Sequence, residues 1–190
     1  MHTETLTEKS VEELIAELYR TEEKAEIING EVVKFMSTGA EPGFAGDEIF
    51  ASLREYAKRN KFGRAIGDNK AFLVNLPHRK SFSPDAAFYV GANPGMKFYE
   101  GAPVFAVEVR SENDYGKAAE RRMANKRRDY FAAGTRIVWD VDLLSNEVVK
   151  SYNAENPSEP RVFARGETAD AEPVILNWTI AVDDLFDLNG

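Results

Sequence analysis

The run of residues 104–109 constrains the fold more than any other stretch of this 190-residue chain. Apart from Glu108 the run is entirely apolar, and a continuous apolar run of this length is typical of a central strand that is buried on both faces. A carboxylate in such a strand loses its water, and stranding the charge costs several kcal/mol. We therefore expect a metal ion, a cationic partner or a raised pKa to compensate for Glu108.

The order of elements around this strand predicts an α/β fold. A helix over about residues 117–133 leads to a strand at 135–141, and strand, helix, strand in this order indicates a right-handed parallel crossover. The last roughly 40 residues are expected to be an appendage. The remaining predicted elements are a helix at 12–18 capped by Ser10, a strand pair at 27–33 turning at Asn29-Gly30, a loop at 37–46, a helix at 44–58, strands at 71–74 and 86–90, a hairpin at 144–152, short strands near Val162 and at 174–176, and a helical turn at 183–186.

Composition is typical of one globular domain spanning residues 1–190. The chain is 43% hydrophobic, and a length of about 100–200 residues is enough to bury a core. It has no cysteine, which excludes disulfides, thiol nucleophiles and thiolate zinc sites. The first eight residues lack the basic start and apolar centre of a secretory signal, and no run reaches the roughly 20 apolar residues of a membrane span. We expect a cytoplasmic protein.

The charge balance argues against nucleic-acid binding through bulk electrostatics. Lysine and arginine number 24 against 32 aspartate and glutamate, so the formal net charge is −8. Positive charge is nevertheless clustered in two segments, each of which is either a solvated helix face or a patch that approaches phosphate. The clusters are Arg54, Lys58, Arg59, Lys61 and Arg64, and Arg121, Arg122, Lys126, Arg127 and Arg128.

Two acidic residues belong to neighbouring predicted strands. Asp85 follows Pro84 at the start of the strand at 86–90, and Glu108 lies in the central strand. If these strands are adjacent, they bring two carboxylates together, as a hard divalent ion such as Mg²⁺ requires. Alternatively, each acid is isolated and pairs with an arginine.

Lys126 falls on the apolar stripe of the predicted helix at 117–133. Helical spacing from Lys126 gives Ala119, Met123, Tyr130 and Ala133, so we expect the lysine to point toward the sheet. Its ammonium could neutralise Glu108, or it could orient a water and stabilise charge on a phosphate. Arg110 projects from the same strand face as Glu108, and because it stays charged it suits phosphate contact better than proton transfer.

The sequence contains no motif for a histidine metal site, a serine hydrolase or a nucleotide-binding loop. The two histidines, His2 and His78, lack metal-ligand spacing to each other. A nucleophile elbow, Gly-x-Ser-x-Gly, is missing, as are a phosphate loop and a dinucleotide fingerprint.

Taken together, these motifs resemble the Uma2 family of restriction-endonuclease-like proteins, in the PD-(D/E)XK nuclease superfamily. The resemblance spans about residues 26–152, and it depends on the order and spacing of short motifs. These are Glu26-Ile27-Ile28-Asn29-Gly30-Glu31, Pro84-Asp85, Val107-Glu108-Val109 with Ser111 close behind, Lys126-x-x-x-Tyr130, Gly134, and Ile137-Val138-Trp139-Asp140.

The resemblance implies a restriction-endonuclease-like core, in which a mixed β-sheet is flanked by helices in the order αβββαβ, with β additions at both ends. It implies Mg²⁺ or Mn²⁺ as cofactor and DNA as substrate. Homodimers are common among enzymes that cut two strands, and a homodimer is one expectation. Asp85 and Glu108 would be the metal ligands, with the backbone carbonyl of Val109 as a third.

The resemblance also assigns supporting roles and reveals two departures. Lys126 would be the active-site lysine, moved from the strand to the helix because Arg110 occupies the usual position, and Glu31 would be a supporting residue. The strand lysine is therefore absent, and Gly46 stands where many relatives carry a histidine.

Two hypotheses follow. The first is a metal-dependent DNA endonuclease that uses Asp85, Glu108 and Lys126. The second is a catalytically inactive nuclease-fold module for binding or assembly, in which Glu108 and Lys126 form a buried ion pair.

Overall fold

The computed structural model describes residues 9–187. Its helices are α1 (Val11–Arg20), α2 (Ala40–Asn60) and α3 (Lys117–Ala132), followed by a 3-10 helix at Val182–Leu185. Its strands are β1 (Ala25–Ile28), β2 (Glu31–Lys34), β3 (Arg64–Gly67), β4 (Phe72–Leu73), β5 (Ser81–Phe82), β6 (Ala86–Tyr89), β7 (Tyr99–Glu100), β8 (Phe105–Val109), β9 (Ile137–Val141), β10 (Val149–Asn153), β11 (Asn156–Phe163), β12 (Thr168–Asp170) and β13 (Thr179–Ala181).

A six-stranded mixed sheet with the strand order β11-β10-β9-β8-β6-β3 forms the centre of the fold. Within this sheet only the β8–β9 pair is parallel, as expected for two strands that a helix connects. The series α2, β3, β6, β8, α3, β9 gives the predicted αβββαβ core. The β1–β2 hairpin precedes this core and β10 to β13 follow it, so the predicted fold class is confirmed.

Helices cover the two faces of this sheet. The side chains of β8 alternate between the faces, so this strand contributes to the hydrophobic cluster on each face. Phe105 and Val107 belong to the large core that includes Ile49 and Leu53 of α2. Ala106 belongs to a second cluster with Tyr130 of α3. Glu108 has the same parity as Ala106, so it lies on the α3 face.

The C-terminal segment is part of the core. Trp178 is 2% exposed, its ring centroid lies 5.3 Å from that of Trp139, and its indole N–H donates to Ser52 Oγ at 3.0 Å. The prediction that the last roughly 40 residues form an appendage is therefore wrong. Residues 174–176 form a turn rather than the predicted strand, and this turn buries Ile175 while Leu176 stays 59% exposed.

The predicted loop at 37–46 is also partly wrong, because α2 begins at Ala40. Pro42 is the third helical residue, and a proline in the first turn costs little since the N–H groups there have no intrahelical acceptor. The strand β3 was not predicted, because its four residues contain only one β-branched side chain, Ile66.

Two local signals with a direct chemical cause, the helix cap and the tight turn, were predicted correctly. Ser10 caps α1 in a reciprocal capping box with Glu13. Asn29 and Gly30 both have positive φ, 51° and 78°, as the tight turn between β1 and β2 requires. None of the helices within residues 9–187 combines the length and the hydrophobicity needed to cross a membrane.

Two neighbouring substitutions test whether the 174–176 turn belongs to the core. We expect Ile175→Ala to lower the free energy of unfolding by about 2–5 kcal/mol, because a fully buried side chain is removed. Leu176→Ala, the matched control, should change it by no more than about 0.5 kcal/mol, because its side chain is exposed. Urea titration followed by tryptophan fluorescence measures both. Equal stabilities of the two variants would contradict this packing.

Candidate active site

Asp85 and Glu108 lie next to each other on the α3 face of the sheet. β6 and β8 are antiparallel with Ala86 opposite Val107, and this register puts Asp85 opposite Glu108. The Asp85 N–H donates to the Val107 carbonyl at 3.0 Å and so extends the ladder by one residue. The strands predicted to bring these two carboxylates together are therefore neighbours.

Asp85 is held by one backbone group and one lysine. The Val109 N–H donates to its Oδ2 at 2.6 Å, and Lys24 Nζ donates to its Oδ1 at 2.5 Å. Burial alone would lower the pKa of Lys24, but Asp85 and the nearby acids Glu108 and Asp68 raise it above the ordinary lysine value. Lys24 therefore stays charged beside Asp85.

Gly46 of α2 lies against Asp85. A Cβ added to Gly46 would be 3.6 Å from the Asp85 Cβ, which is ordinary van der Waals contact. The position at which many relatives were expected to carry a histidine is thus adjacent to the acidic pair.

Glu108 accepts two hydrogen bonds from α3. Lys126 Nζ donates to its Oε2 at 2.8 Å, and the Tyr130 hydroxyl donates to its Oε1 at 2.6 Å. Burial raises the pKa of Glu108, Lys126 opposes this rise, and the negative charge of Asp85 adds to it. Burial and Glu108 also raise the pKa of Tyr130 well above its ordinary value, so Tyr130 remains a hydrogen-bond donor.

A third carboxylate, Glu26 of β1, completes the cluster and was not predicted as a site residue. It is fully buried, and Lys126 Nζ lies 2.9 Å from its Oε1. The Arg79 guanidinium donates a hydrogen bond to Glu26 Oε2, and the Ser83 N–H donates to Glu26 Oε1 at 2.9 Å. Burial would raise the pKa of Glu26, but Lys126 and Arg79 outweigh it and hold that pKa below the ordinary value.

Lys126 lies between Glu26 and Glu108. Burial acts to lower its pKa, but the two carboxylates raise it, so this lysine is an ammonium at neutral pH. In that state it supplies positive charge and donates hydrogen bonds, and it cannot accept a proton.

Arg79 connects the buried cluster to the surface. Its Nε donates to Asp129 Oδ2 at 2.9 Å, and the other oxygen of Asp129 lies 2.8 Å from His78 Nε2. The Arg79 guanidinium also lies over the ring of Phe82, which stacks on Tyr130 with a centroid distance of 4.0 Å. Through Phe82, these contacts couple the position of the Arg79 side chain to that of Tyr130.

Arg110 projects from the expected face of β8 but is not free to contact phosphate. Its Nε and Nη2 donate to the two oxygens of Asp140 at 2.8 and 2.9 Å, and Glu120 binds the remaining side of the guanidinium. The hydrogen bonds to Asp140 contribute most to raising the pKa of Arg110. Arg110 therefore fastens β8 to β9 and α3.

The two remaining predicted residues have different positions. Val109 lines the site, and its N–H is the group that contacts Asp85. Glu31 is exposed at the start of β2, paired across the hairpin with Ile28, and is not among the residues that line the cavity. Within this motif, Glu26 is the acid that reaches the site.

A cavity of about 860 Å³ opens above the acidic cluster. Its rim includes Arg122, Asn125 and Arg128 of α3, and Phe35 and Met36 from the segment that follows β2. Within residues 9–187, neither Arg122 nor Arg128 forms a salt bridge, and their hydrogen-bond acceptors are the Asn113 carbonyl and the Asn125 side chain.

The donor set of this site fits a small hard cation in kind. Asp85 and Glu108 offer carboxylate oxygens from adjacent strands, and Mg²⁺ commonly binds one or two carboxylates together with waters and substrate phosphate. In the part of the chain that the structure describes, no group of three or more His, Cys, Asp or Glu side chains is arranged to hold a metal. The protein would therefore supply only part of the coordination shell.

Comparison with known proteins places the chain in a family. The profile of Uma2, described as "Putative restriction endonuclease", matches residues 11–183. A crystal structure from Anabaena variabilis, of "a putative nuclease belonging to DUF820", superposes with a TM-score of 0.68 at 17% sequence identity, covering 91% of this chain and 97% of the other. No curated protein matches the sequence. The chain belongs to the Uma2 family, and its fold is that of a nuclease-like relative.

Proposed function

We propose that this protein is a Mg²⁺- or Mn²⁺-dependent endonuclease that hydrolyses DNA phosphodiester bonds. The observation that carries the proposal is the contact of Lys126 with Glu108 beside Asp85, at the floor of one cavity. Membership of a family described as "Putative restriction endonuclease" supports the nuclease class.

Asp85 and Glu108 would hold the ion, together with the backbone of Val109. When bound, the ion would lower the pKa of a coordinated water and stabilise charge on the phosphate. Lys126 would donate hydrogen bonds to the scissile phosphate or the attacking water, since Glu26 and Glu108 keep it charged. Tyr130 would fix the orientation of the Glu108 carboxylate.

Phosphate contact is better assigned to the rim than to Arg110. The Arg110 guanidinium is used by Asp140 and Glu120, whereas Arg122 and Arg128 are exposed at the mouth of the cavity. Arginine at such a rim offsets the net negative charge locally where a nucleic-acid backbone would approach. A homodimer, which would supply two sites for two strands, stays a prediction.

The second candidate function is a catalytically inactive nuclease-fold module for binding or assembly. The observation that favours it is that each carboxylate oxygen of the acidic pair already accepts a hydrogen bond from the protein. Lys24 and Val109 engage the two oxygens of Asp85, and Lys126 and Tyr130 engage those of Glu108. These bonds satisfy both carboxylates without an ion.

Metal-dependent cleavage separates the two functions. With Mg²⁺ or Mn²⁺, the purified protein should nick supercoiled plasmid, and Glu108→Gln and Lys126→Met should each lose about 100-fold or more in rate. Lys117→Met, a matched control at the exposed start of α3, should cleave like wild type. Circular dichroism checks that all variants are folded. Absence of cleavage by wild type on every DNA tested would favour the binding module, and cleavage that survives in Glu108→Gln would point to another site.

The rim arginines should control DNA affinity. Arg122→Gln and Arg128→Gln should each weaken binding to a fluorescent duplex in metal-free buffer, and each should reduce the slope of log affinity against log salt by about one for a lost phosphate contact. Fluorescence anisotropy at several salt concentrations measures both effects.

The matched control for the rim is Arg54→Gln. Arg54 is an exposed arginine on α2, which packs on the opposite face of the sheet. If this substitution weakens binding as much as the rim substitutions, net charge rather than the cavity mouth determines affinity.

Glu26 should stabilise the fold in a pH-dependent way. Glu26→Gln leaves Lys126 and the buried Arg79 with one counter-charge fewer, so we expect a loss of about 3–5 kcal/mol in the free energy of unfolding at neutral pH. Because the folded-state pKa of Glu26 is lowered, its contribution is complete above the unfolded value of about 4.3 and is lost as pH falls through the folded pKa. Urea unfolding of both proteins between pH 7 and strongly acidic pH measures the difference. A gap that stays constant down to the lowest pH would contradict this linkage.

A further inference from the structure

Lys24 places an ammonium group directly on one carboxylate oxygen of Asp85. Its Nζ is 2.5 Å from Asp85 Oδ1, the oxygen that the Val109 N–H does not contact. The Lys24 side chain is 15% exposed, and its carbonyl accepts from the Phe35 N–H at 2.9 Å, so its backbone is fixed beside the hairpin. The chain thus carries its own monovalent cation at one of the two acids.

The same ammonium has a second partner. Lys24 Nζ lies 2.7 Å from Asp68 Oδ1, and Asp68 is 41% exposed in the loop after β3. The Asn69 N–H donates to that oxygen of Asp68 at 2.7 Å and helps to hold it in place. A small rotation of the Lys24 side chain can therefore break the bond to Asp85 while the bond to Asp68 remains.

Lys126 has no comparable partner at the surface among the described residues. Its two carboxylates are Glu108 and the fully buried Glu26, so leaving one still keeps the ammonium inside the cluster. The two lysines of the site therefore differ. Both carboxylates of Lys126 belong to the acidic cluster, whereas Lys24 bridges Asp85 and a carboxylate at the surface.

We propose that Lys24 is a tethered cation that competes with the divalent ion for Asp85, and that Asp68 receives Lys24 when the ion binds. This rests on the proposed function, in which Asp85 is a metal ligand. Lys24 satisfies Asp85 when no ion is present, and its displacement sets the affinity of the site. Lys24 is thus a positioning residue for metal binding, separate from the role of Lys126.

Titration with Mn²⁺ alone, by isothermal calorimetry and without DNA, tests the proposal. Lys24→Met, which keeps a long side chain and removes the charge, should bind Mn²⁺ about tenfold tighter or more, because no ammonium has to be displaced. Lys34→Met is the matched control, since Lys34 lies at the end of the largely exposed strand β2 and pairs with the exposed Glu23, and it should bind like wild type. If Lys24→Met does not fold, Lys24→Gln removes the same charge and keeps a donor for both acids.

Asp68→Asn tests the receiving carboxylate. It should weaken Mn²⁺ binding several-fold in the wild-type background, and it should have a much smaller effect in Lys24→Met. An equal effect in both backgrounds would overturn the role of Asp68, because Asp68 would then act on the ion only through its negative charge and not through Lys24. In a crystal grown with Mn²⁺, Lys24 Nζ should contact Asp68 and no longer Asp85.

Asp85→Asn distinguishes failure of this inference from failure of the proposed function. If Asp85→Asn abolishes Mn²⁺ binding while Lys24→Met binds like wild type, the inference is overturned and the metal site stands. If Asp85→Asn binds Mn²⁺ as well as wild type, Asp85 is not a ligand, and both are overturned.

Discussion

The site depends on one ammonium group shared by two carboxylates, the fully buried Glu26 and the partly buried Glu108. Lys126 lies between them, and without it Glu108 would lose the cation that pairs with it and Glu26 would depend on Arg79. Arg79 contributes the second positive charge to Glu26. Removal of one member of such a group is costly because the others cannot regain water. β1, β8, α3 and the segment around Arg79 are therefore held in a single arrangement.

The two faces of the central sheet differ in chemistry, because one is hydrophobic and the other carries the charged cluster. On the α2 face, aromatic side chains such as Phe105, Trp139 and Trp178 pack closely and exclude water. On the α3 face, the alternate residues of β8 and β9 are charged near the strand ends, where Glu108 lies beside Asp140. A dense hydrophobic layer thus supports a polar one, and a rigid base of this kind keeps charged groups at fixed separations.

Features that depend on local spacing could be predicted from the sequence. The apolar run around Glu108 gave the central strand, and the helical stripe gave the direction of Lys126, because each pattern is contained in one element. The proximity of Asp85 and Glu108 was one of two alternatives, and the register of β6 against β8 decides between them.

The rest of the site depends on contacts between distant segments. Glu26 reaches the site because β1 lies along the segment at residues 78–81, through bonds such as that from the Asn29 N–H to the His78 carbonyl, and no local pattern encodes that docking. Glu26 carries a weaker form of the signal that singled out Glu108, since it stands between Ala25 and Ile27-Ile28. Arg110 illustrates the opposite error. Its face was predicted correctly, but the acids that occupy it come from β9 and α3.

The supply of Glu26 by the N-terminal hairpin has a consequence for biosynthesis. Lys126 is made about a hundred residues after its partner Glu26, which at roughly 5–20 residues per second takes on the order of 5–20 s. Until α3 emerges and docks, Glu26 and Glu108 lack their shared counter-charge and are more stable in water than in a closed core. The acidic centre therefore cannot close before residue 126 has emerged.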